Sequence, residues 1–187
     1  MKNIATVALM VNLGVAGVYA QQSQVNMTFS GTAGRSPIDL QAGTPTSEYN
    51  FVGDGTLGAF TFRTLSVSAA SPQPSSTCAG PNQLYLSTVT GAGVFRFQDG
   101  SLLKGNLTQG SDCIDFAAQQ ALCIRTFQIT GGTGRFKDAS GSVTLTETLL
   151  PVLADASNNP VFFAVAGELT GTISGVAMGE ESQAVRR

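Results

Sequence analysis

The sequence predicts an all-β chain folded as one antiparallel barrel or sandwich, and three observations carry that reading. Apolar residues recur at every second position rather than every third or fourth. The apolar runs are short and rich in Phe, Val, Leu and Thr, and Gly, Pro, Asn or Asp bounds each of them. No window has the periodicity of an amphipathic helix, and residues 115–120 could form one turn.

Taken in chain order, the first strand alternates Val25, Met27 and Phe29 with polar residues. Runs at 49–52 and 57–67 follow, with Gly53-Asp54-Gly55 as the turn signal between them. Runs at 84–89 and 94–98 are parted by Gly91-Ala92-Gly93, and Asp99-Gly100 leads into 102–107. Residues 114–122, between Cys113 and Cys123, read as a short loop. Runs at 121–129 and 143–149 flank Gly131-Gly132, and 161–173 completes a set of eight or nine strands. Residues 71–77, rich in Ser and Pro, read as the main loop and 179–187 as a polar tail, so that 21–178 form one domain.

Composition supports a folded chain rather than a low-complexity one. Only 12% of the 187 residues are charged, against about a quarter in a typical soluble domain. Twenty Thr and 17 Ser take over the polar face; Thr144, Thr146 and Thr148 stand on the reverse side from Val143, Leu145 and Leu149. Ten basic against 12 acidic residues give no electrostatic grip on nucleic acid. The chain has no His, which removes Ser-His-Asp and Cys-His catalysis and His-ligated metal sites. Asp112 with Asp115 is too thin a pair for calcium, so neither a metal nor a cofactor is expected.

The N-terminus reads as an export signal. Lys2 precedes an apolar stretch at 4–18, and Val18-Tyr19-Ala20 has the small-x-Ala cleavage pattern, which assigns residues 1–20 to the signal. The stretch is shorter than the roughly 20 residues of a membrane-spanning helix, so a secreted or periplasmic chain with no membrane partner after cleavage is expected. Export places the cysteines where disulfides persist. Cys78, Cys113 and Cys123 allow three pairings, and the local pair Cys113–Cys123 is favoured, with Cys78 able to reach either partner.

Three charged residues stand in line with apolar ones and are the candidate ligand-binding residues. Arg125 shares a face with Cys123, Phe127 and Ile129; Glu147 lines up with Val143, Leu145 and Leu149; Glu168 lines up with Phe162, Ala164 and Ala166. If those stripes face a barrel interior, Arg125 would pair with Glu147 or Glu168, because a buried charge needs a partner. The plainer alternative is that both glutamates lie near strand ends and reach water at the rim. Arg63 and Arg96 alternate against phenylalanines and point outward. No residue is marked out as catalytic.

The most distinctive motif is Ile129-Thr130-Gly131-Gly132-Thr133-Gly134-Arg135-Phe136, followed by Ala139-Ser140-Gly141. It reads as a strand entering a glycine corner and returning as another strand, with Phe136 plugging the barrel end. A dinucleotide loop is excluded, since Lys137 stands where a third glycine is required and a strand rather than a helix follows. This corner, with the later Gly167-Glu168-Leu169-Thr170-Gly171-Thr172-Ile173-Ser174-Gly175, resembles allene oxide cyclase and dirigent proteins, and secreted bacterial proteins of unknown role on the same barrel. The resemblance covers residues 125–175 well and the N-terminal half by strand pattern alone. It implies a single antiparallel eight-stranded barrel with an apolar cavity, often trimeric in the plant members. The cavity residues on which the plant proteins rely have no one-to-one match here.

Three functions follow as expectations: a secreted non-catalytic barrel binding a small apolar ligand or a partner; a self-associating structural or surface protein; or a cofactor-free cyclase-like protein acting on a small hydrophobic substrate. Apolar residues on both strand faces, such as Phe162 with Phe163, point to a homo-oligomer.

Overall fold

Strands that alternate Phe, Val and Leu with Ser and Thr can bury the first face by closing the sheet on itself, and this chain does so. A computed structural model describes residues 22–177 except 75, 79, 81 and 82; the signal and the polar tail read from the sequence lie outside the described residues. The strands are β1 (Ser23–Arg35), β2 (Thr46–Gly55), β3 (Phe60–Ser68), β4 (Gln83–Phe97), β5 (Leu102–Asp115), β6 (Gln120–Gly132), β7 (Ser140–Ala154) and β8 (Pro160–Ser174). Each pairs antiparallel with its sequence neighbours, and β8 returns to β1 to close the barrel.

Two sequence expectations change. The runs at 84–89 and 94–98 are one strand, β4, with Gly91-Ala92-Gly93 inside it and not at a turn. The segment between Cys113 and Cys123 is mostly strand as well, since β5 runs to Asp115 and β6 begins at Gln120.

The glycines inside strands do a packing task. The lumen of an eight-stranded barrel is just wide enough for side chains to fill, and here phenylalanines fill most of it. Phe62 stacks on Phe95 at 4.0 Å between centroids and meets Phe127 edge-on at 5.7 Å, while Phe29 stacks on Phe51 at 4.6 Å. Each ring pair contributes about 0.5–1.5 kcal/mol beyond its area. Gly93 gives the Phe62 ring its room: a Cβ there would lie 2.4 Å from the ring.

The glycine corner closes one end, which we call the lower end. After β6 the chain makes a 3₁₀ turn, Gly134–Phe136, that drives Phe136 fully into the barrel against Phe97 at 4.7 Å. Arg135 lies over both rings, at 4.9 and 4.5 Å, and donates to the Leu57 carbonyl at 2.5 Å. Gly132 passes so close to β5 that a Cβ would stand 1.9 Å from the Leu102 carbonyl oxygen.

The disulfide joins Cys78 to Cys113, and Cys123 is a buried free thiol; the pairing Cys113–Cys123 expected from proximity is wrong. In the β5–β6 register Cys113 stands opposite Leu122 and Cys123 opposite Asp112. The two cysteines are therefore one position out of step and project from opposite faces of the sheet. Cys123 enters the lumen, while Cys113 faces outward to the β3–β4 loop that carries Cys78. Closing a loop with a sequence separation of 35 stabilises the fold by about 4 kcal/mol in the chain-entropy account.

The corner predicts a contrast between two glycines. Gly132→Ala should cost about 3 kcal/mol or more, because backbone must move. Gly100→Ala has nothing within 4 Å of the new Cβ and a φ of +80°, so it should cost only about 1–2 kcal/mol of left-handed strain. Urea unfolding midpoints of the two variants give the comparison.

Candidate functional site

Above the phenylalanines the lumen changes character. Arg125 on β6, Glu147 on β7, Asp112 on β5 and Tyr49 on β2 turn inward at one level and are buried, Arg125 and Glu147 to 1% exposure. Their placement follows from register. Asp112, Cys123, Glu147 and Gly167 are consecutive partners across β5–β8, and Arg125 lies one inward position below Cys123, opposite Gly110 and Leu145. With no side chain on Gly110 beside its stem, the guanidinium extends across the barrel.

Arg125 organises the group. One terminal nitrogen donates to Glu147; the other donates to Asp112 Oδ1 at 2.7 Å and to the Tyr49 hydroxyl at 2.6 Å. The Tyr49 ring lies 4.5 Å from the guanidinium carbon, adding a cation–π contact. Asp112 is held in turn by Ser68, whose hydroxyl donates to Oδ2 at 2.9 Å.

Two carboxylates share one cation, and the protonation states follow. Burial opposes the charge on Arg125, but the pull of Tyr49, Glu147 and Asp112 outweighs it and keeps the guanidinium protonated. Burial pushes the Glu147 carboxyl up to about 7 against the pull of Arg125, with Asp112 adding to the rise. Burial also raises the Tyr49 hydroxyl and the Cys123 thiol, so both stay neutral and Cys123 is a poor nucleophile. The group can therefore take up or release a proton at Glu147 near neutral pH. Glu147 Oε2 and Arg125 Nε are buried and have no hydrogen-bond partner within the protein.

The three residues singled out in the sequence divide. Arg125 and Glu147 come together in the lumen, and Glu147 is buried in mid-strand and does not lie at the rim. Glu168 stands on the outer face opposite Thr146 and Thr28, exposed, and does not join them. Its alternation with Phe162, Ala164 and Ala166 is real, but that stripe is the outside of the barrel. The sequence reading missed Tyr49 and Asp112. Tyr49 was legible, being in step with Phe51; Asp112 was hidden by a break in the alternation of β5 at Leu107/Gln109.

At the upper mouth, a cleft of about 230 Å³ is lined by Ala33, Gly34, Arg35, Pro45, Thr46, Ser47, Pro160, Val161 and Phe163. Ala33 is the register partner of both Tyr49 and Phe163, so the cleft floor adjoins the Tyr49 side of the cluster. It falls below the roughly 300–1,000 Å³ of drug-sized sites and suits a small molecule or one end of a larger one.

No family model matches the sequence, and no curated protein matches it. Among solved structures, similarity is found to the pterocarpan synthase dirigent protein PsPTS1, at 12% identity and TM-score 0.42, over 85% of this chain and 97% of that one. Similarity to the pterocarpan synthase dirigent protein GePTS1 is at 12% identity and TM-score 0.38, over 89% of this chain and 99% of that one.

The raised Glu147 group has a measurable consequence. A folded-state value of about 7 against an ordinary 4.5 means that the folded chain binds the proton more tightly. The resulting stability is complete below pH 4.5, declines as pH rises toward 7 and is lost above it. Other carboxylates shift the opposite way: Arg63 lowers Glu48, and the Ser101 backbone amide lowers Asp99. Comparison with Glu147→Gln isolates the effect. Wild-type stability minus that of Glu147→Gln should fall by up to about 3 kcal/mol between pH 4.5 and pH 7.5, measured by urea unfolding at both values.

Proposed function

We propose that this chain is a secreted, non-catalytic barrel that binds a small molecule with an apolar body and a polar end. The observation that carries the reading is the unpartnered Arg125 Nε and Glu147 Oε2 in a buried group next to the apolar mouth cleft. A buried donor and acceptor left unused are costly, and a hydroxyl or amide on the ligand can satisfy both. The cleft walls of Pro45, Pro160, Val161 and Phe163 provide an apolar surface for the rest of the molecule. Export rests on the N-terminal signal pattern, and the Cys78–Cys113 disulfide is consistent with it.

Native mass spectrometry of the protein purified from its own host tests this. The expected spectrum shows a co-purified small molecule, lost in Val161→Arg, which places a charge in the cleft at a position already 42% exposed. A spectrum of unliganded chain alone, unchanged by Val161→Arg, counts decisively against it.

A second reading, self-association, is favoured by a specific surface. Leu122, Leu150, Val152, Leu153 and Phe162 lie 37–60% exposed on the outer face toward the upper ends of β6, β7 and β8. Register sets Leu150 beside Ala164 and Leu153 beside Phe162. Light scattering after size exclusion should give more than one subunit mass, and Leu150→Glu with Leu153→Glu should reduce it to one. A wild-type monomer removes this reading.

A further inference from the structure

The barrel wall is interrupted on one side. β4 and β5 pair from Gln83↔Asp115 to Ser87↔Ser111 and again from Ala92↔Asn106 to Arg96↔Leu102, with no ladder pairs between residues 88–91 and 107–110. The register is the same on both sides of the gap, so the ladder lapses without slipping, and Thr88 still packs on Gly110 and Leu107 on Gly91. Each strand carries an irregularity at the gap. β4 passes from Thr90↔Val67 to Thr88↔Ser68 against β3, leaving Val89 over, and β5 passes from Leu107↔Phe127 to Gln109↔Thr126 against β6, leaving Thr108 over. An extra residue bends its strand and terminates pairing, and here each of the two strands carries one at the same gap.

The gap lies beside the polar cluster. Gly110 is the register partner of Arg125, and a Cβ on Gly110 would meet Thr88 Oγ1 at 2.4 Å and Arg125 Cγ at 3.5 Å. The Thr88 hydroxyl is therefore what stands between the seam and the stem of Arg125. Thr88 Oγ1, Ser66 Oγ and Arg125 Nε are all buried without a hydrogen-bond partner within the protein. Three unused polar atoms therefore line the unpaired stretch of wall, where a hydrogen-bonding molecule rather than an apolar one would find partners.

We infer that the β4–β5 seam is a lateral portal through which small, neutral, hydrogen-bonding molecules reach Arg125 without passing the upper mouth. Thr88 is its gate. Movement of that side chain off Gly110 opens the path, and the unpaired backbone on either side lets the strands part locally while the flanking ladders hold. The unpartnered Arg125 Nε serves both readings, but the portal is read at Cys123 and the mouth cleft at Val161, so the two tests fail separately.

Cys123 is the reporter, because its free thiol sits in the lumen beside Asp112 and Arg125; burial holds back its thiolate and makes labelling slow, so access is read from each variant's rate relative to wild type. Folded, oxidised protein is treated at pH 8.5 with methyl methanethiosulfonate, a small neutral reagent, and methylthiolation of Cys123 is followed by intact mass. Two variants shift the gate in opposite directions. Thr88→Ala removes the gate and should speed labelling about tenfold. Val89→Cys with Gln109→Cys, two exposed positions that face each other across the gap by the flanking register, forms a staple that should slow it about tenfold. Each rate should exceed that variant's global unfolding rate, measured separately. A labelling rate indifferent to the staple overturns the portal, and so does one that merely tracks global unfolding.

Discussion

A closed eight-stranded barrel must fill its own interior, and the rest of this structure depends on how the chain meets that constraint. The lumen admits one layer of inward side chains. Phenylalanines occupy it as far as glycines on facing strands give them space, as Gly93 does for Phe62 and Gly167 for Phe29, whose ring a Cβ would approach at 2.9 Å. The glycine corner belongs to the same solution. A barrel filled from within still has open ends, and Phe136, carried in on a 3₁₀ turn, completes the packing at the lower one.

The upper part is filled differently, and function is to be sought there. A buried guanidinium needs partners for its charge, and Arg125 obtains two carboxylates and a phenol at its terminal nitrogens. The arrangement has a residue of unsatisfied chemistry. Burial lifts the Glu147 carboxyl to about 7 against the pull of Arg125, with Asp112 adding a little, and the geometry leaves one nitrogen and one oxygen without partners. Apolar fillings of similar volume are often as stable as a buried ion pair or more so, so stability alone does not account for the cluster.

Much of this was legible in the sequence because barrels write themselves in a period of two. The strand faces and the outward Arg63 and Arg96 follow from alternation within single strands, the plug at Phe136 from the glycine corner, and the pairing of Arg125 with Glu147 only on the condition that their stripes face inward. What alternation could not supply was which stripe faces inward when both carry apolar residues. On β8 the outer stripe holds Phe162, Ala164 and Ala166, and Glu168 went with it. Nor could glycine be told from glycine: Gly91 and Gly93 look like a turn and act as space within a strand. The disulfide failed for a related reason, since nearness in sequence says nothing about which face of a sheet a thiol projects from.

The irregularity at Thr108 explains why several of these features occur together. Leu103, Gly105 and Leu107 point inward at odd positions; after Thr108 the inward positions are even, Gly110 and Asp112. Had β5 kept strict alternation through Thr108, Ser111 and Cys113 would have entered the lumen and Asp112 would have faced solvent. One inserted residue thus delivers the second carboxylate to Arg125 and turns Cys113 outward to meet Cys78. The same residue, with its counterpart at Val89, parts the wall at the level of the cluster it created. The polar cluster, the disulfide and the unpaired seam are therefore structurally linked.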